Sequence, residues 1–456
     1  MMRRRAVIAA AAASLVLAGC GSEGQESDGD TLTVWSMESL PDRMAATETI
    51  LEGFTAETGI EVELVGIEEA QAPQLLMSAA LSDDLPDVMM SFPLGLVQQM
   101  HALEMLDTET TARTLESLGE DTFAPKALEL VSAGDTRLAV PSDGWSQVLV
   151  YRTDLFEEAG LEPPTTYEAL QKASEELTGD GQFGITLATD ASDVFTQQTF
   201  EFLALGNGCE LVDDAGEIQI DSPQCIETFE LYKTLGGDVS PAGTQTVDTT
   251  RASYFNGQSA MVMWSTYILD ELAGLRDDAL PNCPQCADDP SFLVKNSGVV
   301  ATITGPDGQD ATGFGEIASF VPVDAGNPEA SQKLVEYMMS TGYVDWLAMA
   351  PEGKSPMRSG SQDDPTEYAD AWAQLEIGVD RKAPLADFYD EQTLEILTSV
   401  GEDIDRWAIP QGQGPLIGSF QAELPLAANL ADLTNGSITP DEAADRVSTV
   451  AEGMVD

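Results

Sequence analysis

Residues 138–178, LAVPSDGWSQVLVYRTDLFEEAGLEPPTTYEALQKASEELT, carry most of the information on the fold. Two extended runs flank Pro141-Ser142-Asp143-Gly144, a break that suits a strand crossing from one body of the protein to another. Residues 153–160 read as a short helix stopped by Gly160. After Pro163-Pro164 comes Thr165-Thr166-Tyr167-Glu168, in which a threonine precedes a glutamate by three positions. That spacing lets the two side chains cap a helix start reciprocally, and it predicts a helix to about Leu177.

Upstream, strand and helix alternate. TLTVWSM (31–37) reads as a buried strand, 41–58 as a helix stopped by Gly59, and IEVELVGI (60–67) as a second strand. A helix over about 70–82 follows, and Leu85-Pro86-Asp87-Val88-Met89-Met90 feeds a third, short strand. Such alternation predicts an α/β fold with a parallel sheet covered on both faces. Downstream, Ser222-Pro223 and Asn327-Pro328 read as helix starts, with a cap followed by proline. Thr439-Pro440-Asp441-Glu442 reads as the capping box of the last helix.

The chain has 456 residues, 43% of them hydrophobic, enough for two to three domains or one fold of two large lobes. Against 79 Asp and Glu stand 20 Lys and Arg, a net charge of −59. This balance excludes a non-specific nucleic-acid binder, which needs cations to displace phosphate counterions. It also disfavours adsorption on anionic lipid. A lone histidine, His101, speaks against a His-based hydrolase or a zinc enzyme and is expected to start or cap a helix.

The N-terminus has the build of an export signal. Arg3, Arg4 and Arg5 precede an apolar run of small residues, 6–19, too short to span a bilayer comfortably. The run ends Leu17-Ala18-Gly19-Cys20, which resembles a bacterial lipobox, so residues 1–19 are expected to be removed and Cys20 lipidated. GSEGQESDGD then forms a flexible tether within 20–30. The mature chain would carry 17 cations against 79 carboxylates, a charge of −62. Four cysteines remain, Cys209, Cys225, Cys283 and Cys286. Outside the cytosol an even count reads as two disulfides. Of the three possible connectivities the local one, Cys209–Cys225 and Cys283–Cys286, is the simplest. The former would close a loop of about 16 residues and contribute ~3 kcal/mol in the chain-entropy model. No metal and no cofactor is expected.

Taken in order, LTVWSMES, FTAETGIEVEL, LSDDLPDVMMS, the 138–178 stretch, FNGQSAMVMWSTYIL, GNPEASQKLVEYMMS and SPMR resemble the extracellular solute-binding proteins of ABC importers, in particular the sugar-binding group that includes maltose-binding protein. The resemblance covers nearly all of the mature chain and is weakest over 270–312. It implies a two-lobed α/β fold with a ligand cleft between the lobes. One lobe would comprise 31–140 and 299–350, the other 149–286 and 363–456, with hinge crossings at 141–148, 287–298 and 351–362. It implies a lipid-anchored, monomeric, extracytoplasmic binder that closes on a carbohydrate and delivers it to a membrane permease, with no catalytic residue.

In open α/β sheets ligands bind beyond the carboxyl ends of the strands, and sugars want aromatic faces beside planar polar groups. These rules nominate Trp35 and Glu38 after the first strand, and Ser91 and Phe92 after the third. Asp143 and Trp145 are nominated at the crossing, and Trp264 and Tyr267 after AMVMW. The family's pattern adds Gly313 and Phe314, Arg358, and Phe420 in IPQGQGPLIGSF. Asp87 is expected to fix a turn, and Met77, Met89, Met90, Met261 and Met263 to fill the core. Other readings are the same fold holding a polyamine or polyol, and, from another class, a secreted glycoside-active enzyme, for which acidic pairs alone would be uninformative in so acidic a chain. Charge repulsion on this scale is relieved where salt shortens the Debye length to ~3 Å at 1 M, so one reading is a saline habitat or an otherwise harsh envelope exterior, and the other is simply an acidic exported protein. On that basis the melting temperature should climb steeply with added NaCl, and a flat response would remove the saline reading.

Overall fold

The computed structural model describes residues 31–455 apart from 83, 309 and 310. The expected signal peptide, tether and lipidated Cys20 lie outside the described residues. The strands that matter for function are β1 (Thr31–Ser36), β2 (Glu61–Gly66), β3 (Val88–Pro93), β4 (Val140–Arg152), β5 (Met261–Ser265), β6 (Ser297–Val300), β7 (Gly313–Pro322), β8 (Ser355–Pro356) and β9 (Ile404–Asp405). They form a nine-stranded curled sheet whose main path runs β8-β4-β7-β3-β1-β2. β1 lies parallel to both β2 and β3, as the βαβ alternation requires. β3 then pairs antiparallel with β7.

The 138–178 stretch decides the architecture through β4. Its first half pairs with β7, with Gly144 opposite Ile317, Trp145 opposite Glu316 and Ser146 opposite Gly315. Its second half pairs with β5, from Gln147 opposite Ser265 to Tyr151 opposite Met261, and with β6. One 13-residue strand thus belongs to both lobes. The expected break at 141–144 is no turn: the register shifts between Pro141 and Asp143, and the strand continues. A proline, which cannot donate to a ladder, is accommodated at such an irregularity. β7 and β8 run beside β4 at the same level, so the crossings are adjacent. Gly315 is needed there, since an added Cβ would lie 2.5 Å from the Ile404 side chain of β9.

Two parts of the expected lobe division differ. Residues 287–298 do not cross between lobes, and 299–308 do not belong to the first. β6 pairs with the second half of β4, Val300 and Ile303 enter the second lobe's core, and Gly305 N–H donates to Gly206 O at 2.7 Å. The crossing is made by β7. Residues 363–400 also do not stay with one lobe. Tyr368 packs edge-on against Tyr343 at 5.1 Å and Trp372 Nε1 donates to Pro351 O, whereas Tyr389 Oη donates to Leu269 O in the second lobe.

Helices fall largely where periodicity and caps put them. They include α1 (Pro41–Thr58), α2 (Ala72–Ser82), α3 (Leu94–Ala102), α4 (Tyr167–Glu176), α5 (Val194–Leu205), α6 (Pro223–Leu235), α7 (Pro328–Met338), α8 (Gly414–Glu423) and α9 (Pro440–Val455). Gly59 ends α1 with φ 77°, the left-handed cap that favours glycine. At α9 the box closes as expected: Glu442 N–H donates to Thr439 Oγ1, and Thr439 N–H to Glu442 Oε2. At α4 the cap is Thr166, whose Oγ1 accepts from Ala169 N–H, one residue later than the box predicted. His101 sits in the last turn of α3 and does not start a helix.

The first lobe's core gathers Leu32, Val34, Phe54, Val88, Phe320 and Trp346. The second is built around Phe200, with Phe229 at 4.5 Å and Tyr232 at 5.6 Å. Met89, Met90, Met261 and Met263 are buried, but Met77 is exposed on α2. Asp87 fixes its turn by accepting from Thr33 N–H and Asn327 Nδ2, both at 2.8 Å. The cysteines pair locally, Cys209–Cys225 and Cys283–Cys286. No described helix is long and apolar enough to cross a membrane. From the cap geometry, Thr166→Ala should lower the unfolding free energy by about 1 kcal/mol, whereas Thr165→Ala should stay within about 0.5 kcal/mol; chemical denaturation of the two variants measures the difference.

Candidate functional site

A cavity of about 330 Å³ opens between the lobes where the crossing strands meet the ends of β1 and β3. Its floor comes from alternate positions of the crossing strands, Asp143 and Trp145 on β4 and Glu316 and Ala318 on β7. Side chains two apart on a strand share a face. The first lobe adds Glu38, Arg43, Glu69 and Ser91, and the second adds Phe195, Gln198, Trp264, Tyr267 and Gln421.

Ser91 reaches the cavity through an irregular backbone. Its φ is +60°, unusual for a residue other than glycine, and the β3–β7 register shifts between Met89 and Phe92. The bulge turns the Ser91 hydroxyl toward Glu38 Oε1, 3.3 Å away. A left-handed serine in a ligand-facing bulge is the kind of local strain found at functional sites.

Beside the aromatic wall lies a largely buried ion cluster. The Lys354 ammonium is fully buried and sits 2.5 Å from Glu38 Oε1 and 3.2 Å from Asp143 Oδ2. Arg43 Nη1 holds the other Glu38 oxygen at 2.6 Å. Trp346 Nε1 and Ser142 Oγ donate to Asp143 Oδ1 at 2.6 and 2.7 Å. Lys354 also lies over the Trp346 ring, 4.4 Å from its centroid. Burial by itself raises the Glu38 pKa, but Lys354 and Arg43 outweigh it and bring it from 4.5 to about 2. Burial pushes the Tyr267 hydroxyl up to about 12, so it is a neutral donor at ordinary pH.

A second cluster supports the floor. Arg406, fully buried, pairs with Glu316 Oε2 and with Glu201 Oε1, the latter at 3.1 Å. It lies 4.7 Å over the Phe314 ring, which supports Trp145 at 5.9 Å. The other Glu316 oxygen accepts from Leu94 N–H at 2.8 Å, fixing the start of α3 to the floor.

The cavity therefore brings together Glu38, Ser91, Asp143, Trp145, Trp264 and Tyr267 from the sequence expectation. It does not bring in six others. Trp35 lies half-buried against the packing cluster beside β1 and does not line the cavity, whereas Met37, two positions on, does. Phe92 is fully buried there, turned inward by the bulge that exposes Ser91. Phe314 acts from below the floor, and Gly313 lines a separate gap beside Ser146 and Ile404. Arg358 is a structural clamp: its guanidinium donates to Met339 O, Leu118 O and Thr122 Oγ1, between the rings of Phe123 and Tyr368. Phe420 packs on Trp407, and the next residue, rotated about 100° around α8, faces the cavity as Gln421.

Arg43, Glu69, Phe195, Gln198, Glu316 and Gln421 were not anticipated. Glu69 was within reach of the rule that selected Glu38, since it follows the carboxyl end of β2. Glu316 and Lys354 carry no such signal, because their roles rest on partners more than 50 positions away.

Replacing Lys354 by methionine would leave Glu38 and Asp143 facing each other inside the protein. The unfolding free energy should fall by about 3–5 kcal/mol, measured by denaturant titration at neutral pH. The depressed Glu38 pKa also has a sign: its stabilisation is present above pH 4.5 and is lost as pH falls toward 2. Glu38→Gln should therefore flatten the acid limb of the stability profile over that window.

The chain matches the family model of the bacterial extracellular solute-binding protein over residues 38–345. It is 26% identical over 368 residues to the putative ABC transporter periplasmic-binding protein YcjN of Escherichia coli K12, covering 78% of this chain and 80% of that one. Among solved structures it resembles the maltose-bound MalE3 of T. maritima, with TM-score 0.67, 16% identity, and coverage of 93% and 99% of the two chains. It also resembles a solute-binding protein of Agrobacterium radiobacter K84 in complex with ribitol, with TM-score 0.65, 18% identity, and coverage of 93% and 99%. At these identities the likeness concerns the two-lobed fold. With the family model spanning most of the chain, the chain belongs to the bacterial extracellular solute-binding proteins, which serve ABC transporters.

Proposed function

We propose that the protein captures a small carbohydrate or polyol in the interlobe cleft and releases it unaltered to the permease of an ABC importer. The carrying observation is the composition of one cavity: the rings of Trp145, Trp264, Tyr267 and Phe195 line it together with hydroxyl, amide and carboxylate groups from both lobes. Aromatic faces suit the C–H faces of a sugar ring, and planar polar groups suit its hydroxyls. The volume, about 330 Å³, is at the small end of ligand cavities. This favours one or two rings, or an open-chain polyol, over a long dextrin. Relatives of the same fold bind maltose and ribitol, in keeping with that size class.

Closure follows from the adjacency of the crossings. Ligand contacts to both lobes favour the closed form by their differential affinity, and the hinge is the level where β4, β7 and β8 lie side by side. The lipobox supports a lipid anchor at Cys20, and the 20–30 tether would keep the monomer close to its permease at high effective concentration. Capture with delivery, in place of bond cleavage, accords with a cleft whose carboxylates Glu38, Asp143 and Glu316 are already engaged by internal cations.

Thermal-shift screening in high salt with sugars and polyols, followed by calorimetry, tests the reading. Ligand should bind one to one with its chemistry unchanged, and the radius of gyration should fall on saturation. Consumption of the sugar would favour the glycoside-active alternative. Trp145→Ala should weaken binding at least tenfold, about 1.4 kcal/mol, while leaving the unfolding midpoint of the free protein within a few degrees.

A further inference from the structure

The crossing strands have two faces, and the ligand cavity occupies one of them. Side chains alternate along β4, so Trp145 faces the cleft and Ser146 the rear. A second gap, of about 220 Å³, opens on that rear face. One wall is the stretch 396–404. It goes with the first lobe: Val400 and Ile404 enter the cluster of Met89, Phe92 and Ile317, and Lys126 on the helix Pro125–Leu130 pairs with Asp405 at 2.9 Å. The other wall holds Ala301 and Thr302, between Val300 and Ile303 of the second lobe's core. The walls meet at the base, where Ile404 of β9 pairs with Gly313 of β7.

Two features of this gap point to an occupant. Ser146 is 3% exposed, and its hydroxyl has no hydrogen-bond partner among the described residues. A buried hydroxyl left unbonded is costly, so one that borders a gap calls for a polar atom brought from outside. Gly313 is the second feature. A Cβ added there would lie 2.8 Å from Ala301 O, 3.5 Å from Thr302 Oγ1 and 3.7 Å from Asp403 O. The missing side chain leaves oxygens of both walls around one small space.

The lining fixes the chemistry of that occupant. Hydroxyl, carbonyl and carboxylate groups supply its polar part, and Ile396, Val400 and Ile404 supply an aliphatic part. Among the described residues, no Lys, Arg or aromatic ring lines the gap. An anion finds no partner there, and a sugar ring finds no face to stack on. A bare metal ion wants oxygens all round, which the aliphatic part denies. The volume lies below the ~300 Å³ at which drug-sized pockets begin. A short, uncharged molecule dense in O–H groups fits these limits.

We infer that the rear gap is an effector site for a small acyclic polyol of three or four carbons, and that its occupancy favours closure of the cleft. The lobes turn about the level of β4, β7 and β8, so narrowing the cleft on one face widens the gap on the other. A molecule seated in the gap holds it wide and thereby favours the closed cleft. By linkage, cleft ligand and effector raise each other's affinity by the same factor. The coupling rests on the hinge closure proposed above, whereas the site itself does not.

The test uses erythritol as probe, butan-1-ol as the same chain with one hydroxyl, and sodium and calcium chloride as controls. The cleft itself takes polyols on the reading above, so it is disabled by Trp145→Ala or, in the wild type, filled with the best sugar of the screen. In both backgrounds calorimetry and saturation-transfer NMR should show one saturable erythritol site, and none for butan-1-ol. Adding Ser146→Ala or Thr302→Val should weaken erythritol at least fivefold. Ser146→Ala should leave the unfolding midpoint of the free protein unchanged or higher, because the hydroxyl it removes bonds nothing. The radius of gyration of Trp145→Ala should fall on saturation with erythritol. Absence of a saturable site in both backgrounds, or a site indifferent to Ser146→Ala and Thr302→Val, overturns the inference and leaves the carbohydrate reading standing. Sodium or calcium binding in place of erythritol overturns it in favour of a cation site. Contraction of the wild type with sugar but none of Trp145→Ala with erythritol overturns the coupling alone. Contraction with neither overturns hinge closure, and the coupling with it.

Discussion

Lys354 lies fully buried between Glu38 and Asp143, and those three groups come from three separate parts of the chain. Glu38 follows β1, Asp143 lies on the long crossing strand, and Lys354 immediately precedes the last crossing. An ammonium removed from water must be matched by opposite charge and hydrogen bonds or it unfolds its surroundings. Here the match fixes the loop after β1 against two of the crossing strands. Arg43, Trp346, Ser142 and Ser91 complete the bonding of the two carboxylates. The cleft floor is thereby held in a defined shape before any ligand arrives, which lowers the ordering cost of binding.

The use of cations is informative in so acidic a chain. Lys354, Arg406 and Arg358 are all buried, each at a point where segments distant in sequence must be held together. Arg406 ties α5 to the β7 floor, and Arg358 gathers carbonyl groups of the first lobe. Elsewhere carboxylates outnumber cations by a wide margin. Surface repulsion is thus set against a few buried ion pairs. Such pairs are screened by salt far less than exposed ones. Salt should therefore act mainly on the outer shell, with the internal clusters independent of it.

Irregular backbone decides which side chains reach the ligand space. The β3 bulge exchanges Phe92 for Ser91, and a single step around α8 exchanges Phe420 for Gln421. Both exchanges replace a ring by a hydrogen-bonding group. The cavity is consequently more polar on the first-lobe and α8 sides, with its rings grouped on β4, β5 and the start of α5.

By itself the sequence determined the α/β alternation, most helix starts and stops, and the extended runs on either side of 141–144, because those features depend on local periodicity, caps and glycine stops. It also placed Glu38, Asp143, Trp145, Trp264 and Tyr267 at the cleft, since each sits at or just beyond a strand that the pattern reveals. Only the tertiary structure decided that Arg358 clamps the first lobe while Lys354, four residues earlier, serves the cleft. Nothing local separates the two cations; their roles are set by which carboxylates and carbonyls the distant strands bring near. The same holds for β6 and residues 299–308, whose place in the second lobe follows from pairing with β4 and from the close approach of Gly305 to Gly206. Local chemistry sets the elements, and long-range pairing of strands and charges sets where each element and side chain belongs.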